Sequence, residues 1–294
     1  MKSGFVAVVG RPNVGKSTLI NAILGFKVSI VTDKSQTTRN DIKGIYTDDE
    51  AQIVFVDTPG IHKPFKKLGE EMNEMAYSSS KDVDALLLVV DAGEEFGSGD
   101  EFVIEHIKIN SPLFIVINKI DKANILEVNE LKEKYKSLYP NAKIFETVAT
   151  KCVNTLELLN ALKDVLEEGP MYYPVDEVSD RDMRFQVKEI IREKMLLLLD
   201  KEVPHCAAVV IDSYKEDAND AEIEASIIVE RESHKGIVIG KNGSMIKKIG
   251  IEARKDIQRI TNQHINLKLF VKVQKDWRDN KRLLKEFGYT ANKK

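Results

Sequence analysis

Between residues 4 and 166 short apolar runs alternate with amphipathic stretches. The runs at 5–9, 53–56, 86–90, 114–117 and 144–148 are short and mostly apolar, and they read as buried strands. Stretches at 16–24, 100–108 and 127–138 repeat their apolar positions at the helical period. Strand alternating with helix predicts an α/β domain with a mostly parallel sheet and helices on both faces.

The pattern breaks at 168–182, where two prolines and several acids leave no apolar periodicity; this stretch is the expected linker. Beyond it the order changes. Residues 183–199 read as a helix, 207–213 and 222–230 as a strand hairpin, and 234–239 and 244–260 as two helices meeting at 240–243. A strand at 265–273 and a helix at 279–287 follow. The organisation expected is a domain at 1–167, a linker at 168–182 and a smaller α+β domain at 183–294.

Composition adds exclusions. The 294 residues are 43% hydrophobic and 31% charged, normal for a globular chain. Two cysteines, Cys152 and Cys206, do not make a disulfide scaffold, and both read as packing residues. No apolar run nears the roughly 18 residues of a membrane span. No signal peptide is expected before the first strand, which implies a cytoplasmic protein in a reducing compartment. The net charge of −3 conceals a polarity: residues 226–294 carry 17 Lys or Arg against 7 Asp or Glu. A basic C-terminal quarter fits a polyanionic partner, and a solvated lysine-rich face fits equally well.

The strongest chemical signal is the GxxxxGKS loop from Gly10 to Ser17, placed after the first strand and opening a helix. Its glycines let successive N–H groups of Asn13, Val14, Gly15, Lys16, Ser17 and Thr18 face phosphates at a helix N-terminus. Lys16 would bridge the β- and γ-phosphates, and the Ser17 hydroxyl would ligate magnesium. Asp57-Thr58-Pro59-Gly60 is a DxxG, a tetrapeptide expected about once per chain by chance. At a strand end downstream of a phosphate loop it gains meaning: Asp57 would hold magnesium through water, and the Gly60 N–H would sense the γ-phosphate.

Asn118-Lys119-Ile120-Asp121 selects the base. A carboxylate at Asp121 accepts from both N1–H and the 2-amino group of guanine, whereas adenine offers neither donor. Lys119 would lie along the ring, and Asn118 would tie this loop to the phosphate loop. A threonine of Gln36-Thr37-Thr38-Arg39 is expected to close on magnesium; Thr38 is preferred, although the sequence does not separate it from Thr37. Lys16, Thr38 and Gly60 are the residues expected to act in hydrolysis of GTP to GDP.

In the second domain Gly240-Lys241-Asn242-Gly243 joins two apolar helices within an α–β–β–α–α–β order, the arrangement of a type II KH domain. Such a GxxG clamps about four nucleotides of a single strand. Ile237, Val238 and Ile239 would form part of an apolar floor for bases, with Lys241, Lys247, Lys248 and Arg254 supplying charge.

The three nucleotide motifs resemble those of the translation-factor-related small GTPases. Ile61 stands after Gly60 where signalling members carry a water-orienting glutamine, so slow hydrolysis is expected. With QTTR, DTPGI, HKGIVIGKNGSMIKKIG and LFVKVQKDWRDN, the whole chain resembles the bacterial Era GTPase family. That resemblance implies GTP and GDP as ligands, magnesium as cofactor, binding to the 3′ end of 16S ribosomal RNA and assistance in maturing the small (30S) ribosomal subunit. It also implies peripheral association with the inner membrane, which no other sequence feature supports, and a monomer is expected. Some relatives hold potassium on an asparagine at the Asn13 position; a loop-bracing role is the alternative. Where relatives carry a Ser-Ala pair that contacts guanine, this chain has Val148-Ala149: the Ala149 N–H remains, and the serine's bracing hydroxyl is lost.

Rival readings give the C-terminal domain a protein or lipid partner, or add a reaction on a base or metabolite; no second acid, base or thiol constellation supports the latter. His62 reads as a surface histidine in a mobile loop. Trp277 either stacks a base or closes a small core, and Tyr172–Tyr173 reads as packing between domains.

Overall fold

The computed structural model of the protein describes residues 1–290. The last four positions assigned to the second domain, 291–294, lie outside the described residues.

The first domain runs β1(Lys2–Val9), α1(Lys16–Leu24), β2(Ile42–Thr47), β3(Ala51–Asp57), α2(Lys67–Ser79), β4(Ala85–Asp91), α3(Ser98–His106), β5(Leu113–Asn118), α4(Ile125–Leu138), β6(Lys143–Thr147) and α5(Thr155–Val165). Its sheet has the order β2-β3-β1-β4-β5-β6, with β2 antiparallel to β3 and every other neighbour parallel. Strands β3 and β4 are buried at every position because helices cover both faces. Leu19, Ile20 and Ile23 of α1 join Leu158, Leu159 and Leu162 of α5 on one face. Ala76 of α2, Val103 of α3 and Val128, Leu131 and Tyr135 of α4 cover the other.

The second domain comprises α6(Met183–Leu198), β7(Ala208–Glu216), β8(Asp220–Val229), α7(Glu232–Ile239), α8(Ser244–Thr261), β9(His264–Val273) and α9(Lys281–Glu286). Its sheet has the order β7-β8-β9, with β8 antiparallel to β7 and parallel to β9. Side-chain alternation along these strands splits them between two cores. Val209, Ala225 and Ile227 meet Ile191, Val238 and Ile257 on the helical face. Ala208 and Ile228 turn the other way and meet Trp277, Leu284, Phe287 and Tyr289 together with Leu68, Met72 and Met75 of α2. That second cluster joins the two domains.

The segment expected to be a linker is strapped to the first domain. The N–H groups of Tyr172 and Tyr173 donate to Gln52 Oε1 at 2.7 and 3.0 Å, and Gln52 Nε2 returns a bond to the Tyr173 carbonyl at 2.8 Å. Ser179 bridges Gly44, and Arg181 pairs with Asp41 at 3.0 Å. Tyr172 lies 4.8 Å from Phe5, so the tyrosines pack on the first domain and not between the two. Among the described residues no helix is long and apolar enough to cross a membrane.

Candidate nucleotide site and nucleic-acid interface

The loops after β1, β3, β5 and β6 converge at the carboxyl ends of the parallel strands, where open α/β sheets place their ligands. They line a cleft of about 570 Å³, within the range of small-molecule sites. Asn13, Gly15, Lys16, Ser17, Thr38, Gly60, Asn118, Lys119, Asp121, Val148 and Ala149 all border it. Gly15 sits at φ 100°, and a Cβ there would fall 2.2 Å from Asn118 Nδ2, so this position requires glycine twice over. A Cβ on Gly60 would meet Pro12 Cα at 2.6 Å, which is how closely the two phosphate-facing loops approach.

Lys16 donates to the carbonyls of Arg11 and Gly10 at 2.8 and 3.3 Å. Burial pushes its ammonium down to about 8 against the pull of Asp57. The Ser17 hydroxyl lies 2.9 Å from Thr38 Oγ1 and 2.6 Å from Asp57 Oδ2. Thr37 turns away, its hydroxyl bonded to Thr32 Oγ1 at 2.7 Å and to the Lys34 carbonyl at 2.5 Å. Asp57 is fully buried, burial raises its pKa, and its Oδ1 has no hydrogen-bond partner. Two hydroxyls beside a buried carboxylate whose second oxygen has no partner make a set of hard oxygen donors that fits a magnesium ion.

Asn118 Nδ2 donates to the Val14 carbonyl at 2.9 Å, which ties the base loop to the phosphate loop. Its Oδ1 accepts from Thr147 Oγ1 and from the Ala149 N–H, both at 3.1 Å. The Ala149 N–H thus braces the loop, a partner the sequence reading did not give it, and Thr147 supplies the hydroxyl that Val148 lacks. Lys119 bonds the Asn13 carbonyl and Asp91, both at 2.6 Å. Asp121 pairs with Lys151 at 2.9 Å, which holds its carboxyl below the usual range. Asp91, Thr147 and Lys151 had no motif to mark them; Thr147 and Lys151 flank the Val148-Ala149 pair, and Asp91 is brought to Lys119 by the fold. Asn13 Nδ2 donates to the Asp33 carbonyl at 3.0 Å, a loop-bracing contact.

His62 differs from the loose histidine expected. Its Nδ1 lies 3.0 Å from the Gly60 carbonyl and its Nε2 3.2 Å from Gln36 Nε2, while Asn73 brackets its backbone. Ile61 is fully buried and takes no place in the cleft.

In the second domain Gly240, Asn242 and Gly243 all have positive φ, and a Cβ on Gly240 would strike Met245 N at 2.8 Å. Lys241, Lys247, Lys248 and Arg254 are all exposed and make no ion pair among the described residues, so their charge is available to a polyanion. The apolar floor needs a correction. Ile237 is exposed and Ile239 half-buried, but Val238 is fully buried among Ile249, Ala253 and Ile257. The turn of α7 points the middle residue of the three into the core. Trp277 is also core: it is fully buried, and its Nε1 donates to the Cys206 carbonyl at 3.0 Å. Cys206 is buried beside it, whereas Cys152 is exposed, contrary to its reading as a packing residue.

A family model described as 50S ribosome-binding GTPase matches residues 5–119, and a KH domain model matches residues 202–278. GTPase Era of Lacticaseibacillus paracasei is 50% identical over 98% of this chain and 97% of its own length. The chain belongs to the Era GTPase family. Era of Clostridium kluyveri is likewise 50% identical, over 98% of this chain and 99% of its own. A crystal structure of Era with MgGDPNP and nucleotides 1506–1542 of 16S ribosomal RNA superposes with a TM-score of 0.95 at 41% identity, covering 99% of both chains. A point variant of Aquifex aeolicus Era bound to GDP and aluminium fluoride gives 0.94 at 41% identity, over 99% of this chain and 100% of that one. A P-loop GTPase domain followed by a KH domain is thus the architecture of the whole chain, as in its Era relatives.

Proposed function

We propose that this chain is a GTP-hydrolysing switch that binds the 3′ end of 16S ribosomal RNA and assists maturation of the 30S subunit. The observation that carries the reading is the position of residues 36–40: 36–38 border the nucleotide cleft, and 39–40 dock on the RNA-binding domain. Thr38 meets Ser17 on one side, while Arg39 donates to the Ala207 and His205 carbonyls at 2.6 and 3.0 Å and Asn40 reaches the Gly288 carbonyl. The helix after DTPG docks on the same domain through Leu68, Met72 and Met75. A γ-phosphate held by Lys16, Gly60 and Thr38 would therefore be sensed at the KH domain by residues one or two positions away.

Ser17, Thr38 and Asp57 would hold magnesium, which when bound neutralises charge developing on the phosphate oxygens. Lys16 and the N–H groups of residues 13–18 orient the phosphates. Asp121 accepts from guanine, with Lys151 beside it at 2.9 Å. With Ile61 buried, no glutamine orients the attacking water, and slow turnover follows. The MgGDPNP and ribosomal RNA bound by the Era relative support each ligand assignment. Potassium at Asn13 and peripheral contact with the inner membrane are finer proposals. Exchange of potassium for sodium in the hydrolysis assay tests the first, and vesicle flotation the second.

The deciding experiment titrates a short single strand copying the 3′ end of 16S ribosomal RNA with GDP and with a non-hydrolysable GTP analogue, using Gly243→Asp as control. Tighter binding with the analogue, lost in the variant, is expected. Equal binding in both states removes the switch, and no binding in either overturns the RNA assignment.

A further inference from the structure

Arg192 belongs to α6 of the RNA-binding domain, yet its guanidinium ends in the nucleotide domain. It donates to the Thr37 carbonyl, and its Nη1 reaches the Gln36 carbonyl at 3.4 Å. The side chain is 1% exposed and is paired with Glu189, one turn back on the same helix, through Nε at 3.0 Å. The Thr37 carbonyl is one end of the peptide whose N–H belongs to Thr38. Gln36, just before it, sits at φ 56°, a left-handed conformation that a glutamine adopts only when its surroundings hold it there. Immediately after Thr38, Arg39 is anchored in the opposite sense, from the nucleotide domain into carbonyls of the second domain. The backbone of Thr38 is therefore fixed on both sides by the RNA-binding domain, while its hydroxyl lies 2.9 Å from Ser17.

A buried ion pair is seldom retained for stability, since an apolar pair of the same volume commonly serves as well. The two carbonyls held by Arg192 give this pair a different purpose. We propose that Arg192 is a positioning residue for GTP hydrolysis, acting from the KH domain through the Gln36 and Thr37 carbonyls on the Thr38 hydroxyl. Glu189 orients the guanidinium fork. The proposal rests on the reading of Thr38 as a magnesium ligand. In consequence the catalytic geometry of the nucleotide site is completed by a side chain of the domain that holds the RNA.

The test uses the full chain. Arg192→Met with Glu189→Leu replaces the pair by apolar side chains, so that neither member is left without the other; Thr38→Ala and the triple variant complete a cycle. Three quantities are read: kcat and KM for GTP, the affinity for a fluorescent non-hydrolysable GTP analogue in magnesium and in EDTA, and the affinity for GDP. The paired replacement is expected to lower kcat roughly tenfold, the scale of one lost charge-assisted hydrogen bond, and to raise KM in step with its weaker analogue binding. It should abolish most of the magnesium-dependent tightening of the analogue and leave GDP binding as in the parent. Added to Thr38→Ala it should cost nothing further. Parental kcat and parental tightening in the paired replacement overturn the proposal, as do losses that multiply with those of Thr38→Ala. If Thr38→Ala itself changes neither quantity, the reading of Thr38 fails instead, and this proposal with it. Should the paired replacement not fold, Arg192→Lys decides. It keeps the charge beside Glu189 but has no planar fork to span two carbonyls, so the same fall in kcat is expected and a parental kcat overturns the idea.

Discussion

The guanidinium of Arg39, one residue beyond Thr38, donates to the carbonyl of Ala207 across the domain boundary at 2.6 Å. The carbonyls of Pro204 and His205 share the same group, and the Tyr289 ring lies 5.7 Å away. No carboxylate pairs with it among the described residues, and burial lowers its pKa. Arg39→Ala should strand three acceptors, at a cost of about 1–3 kcal/mol for each that water does not reach. Arg39→Lys should recover only part, because an ammonium lacks the fork. Urea unfolding followed by the emission of Trp277, the one tryptophan and part of the same interface, measures both. An unchanged midpoint in the alanine variant would show that the contact does not hold the domains together.

Base selection rests on Asp121. Replacing it by asparagine turns one acceptor into a donor, which suits a base with a 2-oxo group and opposes the 2-amino group of guanine. Asp121→Asn should weaken GTP on the order of a hundredfold and favour xanthosine triphosphate. Competition of the two nucleotides against a fluorescent analogue is the measurement, and retained preference for GTP would refute the assignment.

Ile237 and Val238 are neighbours with opposite exposure, 49% against 0%. Val238→Ala should cost about 1–3 kcal/mol of stability, because it empties space in a packed core. Ile237→Ala should stay within about 0.5 kcal/mol of the parent and weaken RNA binding. Thermal unfolding and an RNA titration on both variants separate the roles. A loss of RNA affinity confined to a folded Val238→Ala protein would contradict the burial seen here.

Asp48 supplies a pH dependence. Burial pushes its carboxyl up, but bonds from Lys163, Tyr46 and the N–H groups of Ala51 and Glu50 outweigh it and hold the group at about 2. Since this lies below the ordinary 3.8, ionised Asp48 stabilises the fold above about pH 4, and the contribution fades as the pH falls towards 2. Asp48→Asn should be less stable than the parent at pH 7, and the gap should close between pH 4 and pH 2. A gap of constant size across that range would assign the effect to packing.

The sequence made legible those features whose geometry is set by neighbouring residues. The phosphate loop, DTPG, NKID and GxxG each act within four to eight positions, so spacing alone placed them, and most strands and helices followed from period. What escaped was contact at long separation. Arg192 meets Thr37 across 155 positions and Arg39 meets Ala207 across 168. Strand β2 was missed because Lys43 and Gly44 interrupt its apolar run. Gly44 is there to admit Leu24, which would lie 2.6 Å from a Cβ. In α2 the apolar residues Leu68, Met72 and Met75 do fall at helical spacing, yet the face they form is covered by another domain and so carried no sign of its partner. Val238 was misplaced because three consecutive apolar residues were given one direction.

The strapped segment before α6 limits what separation of the domains can mean. Bonds to Gln52, Ile45 and Asp41 continue as far as Arg181, and Asp182 already caps α6 by accepting from the Phe185 N–H at 2.8 Å. Hardly any free chain lies between the last attachment and the helix. A domain that lets go of Arg39 would swing on a pivot and could not drift on a leash. Its local concentration at the vacated surface would stay high, so re-docking is a unimolecular event, independent of how dilute the protein is.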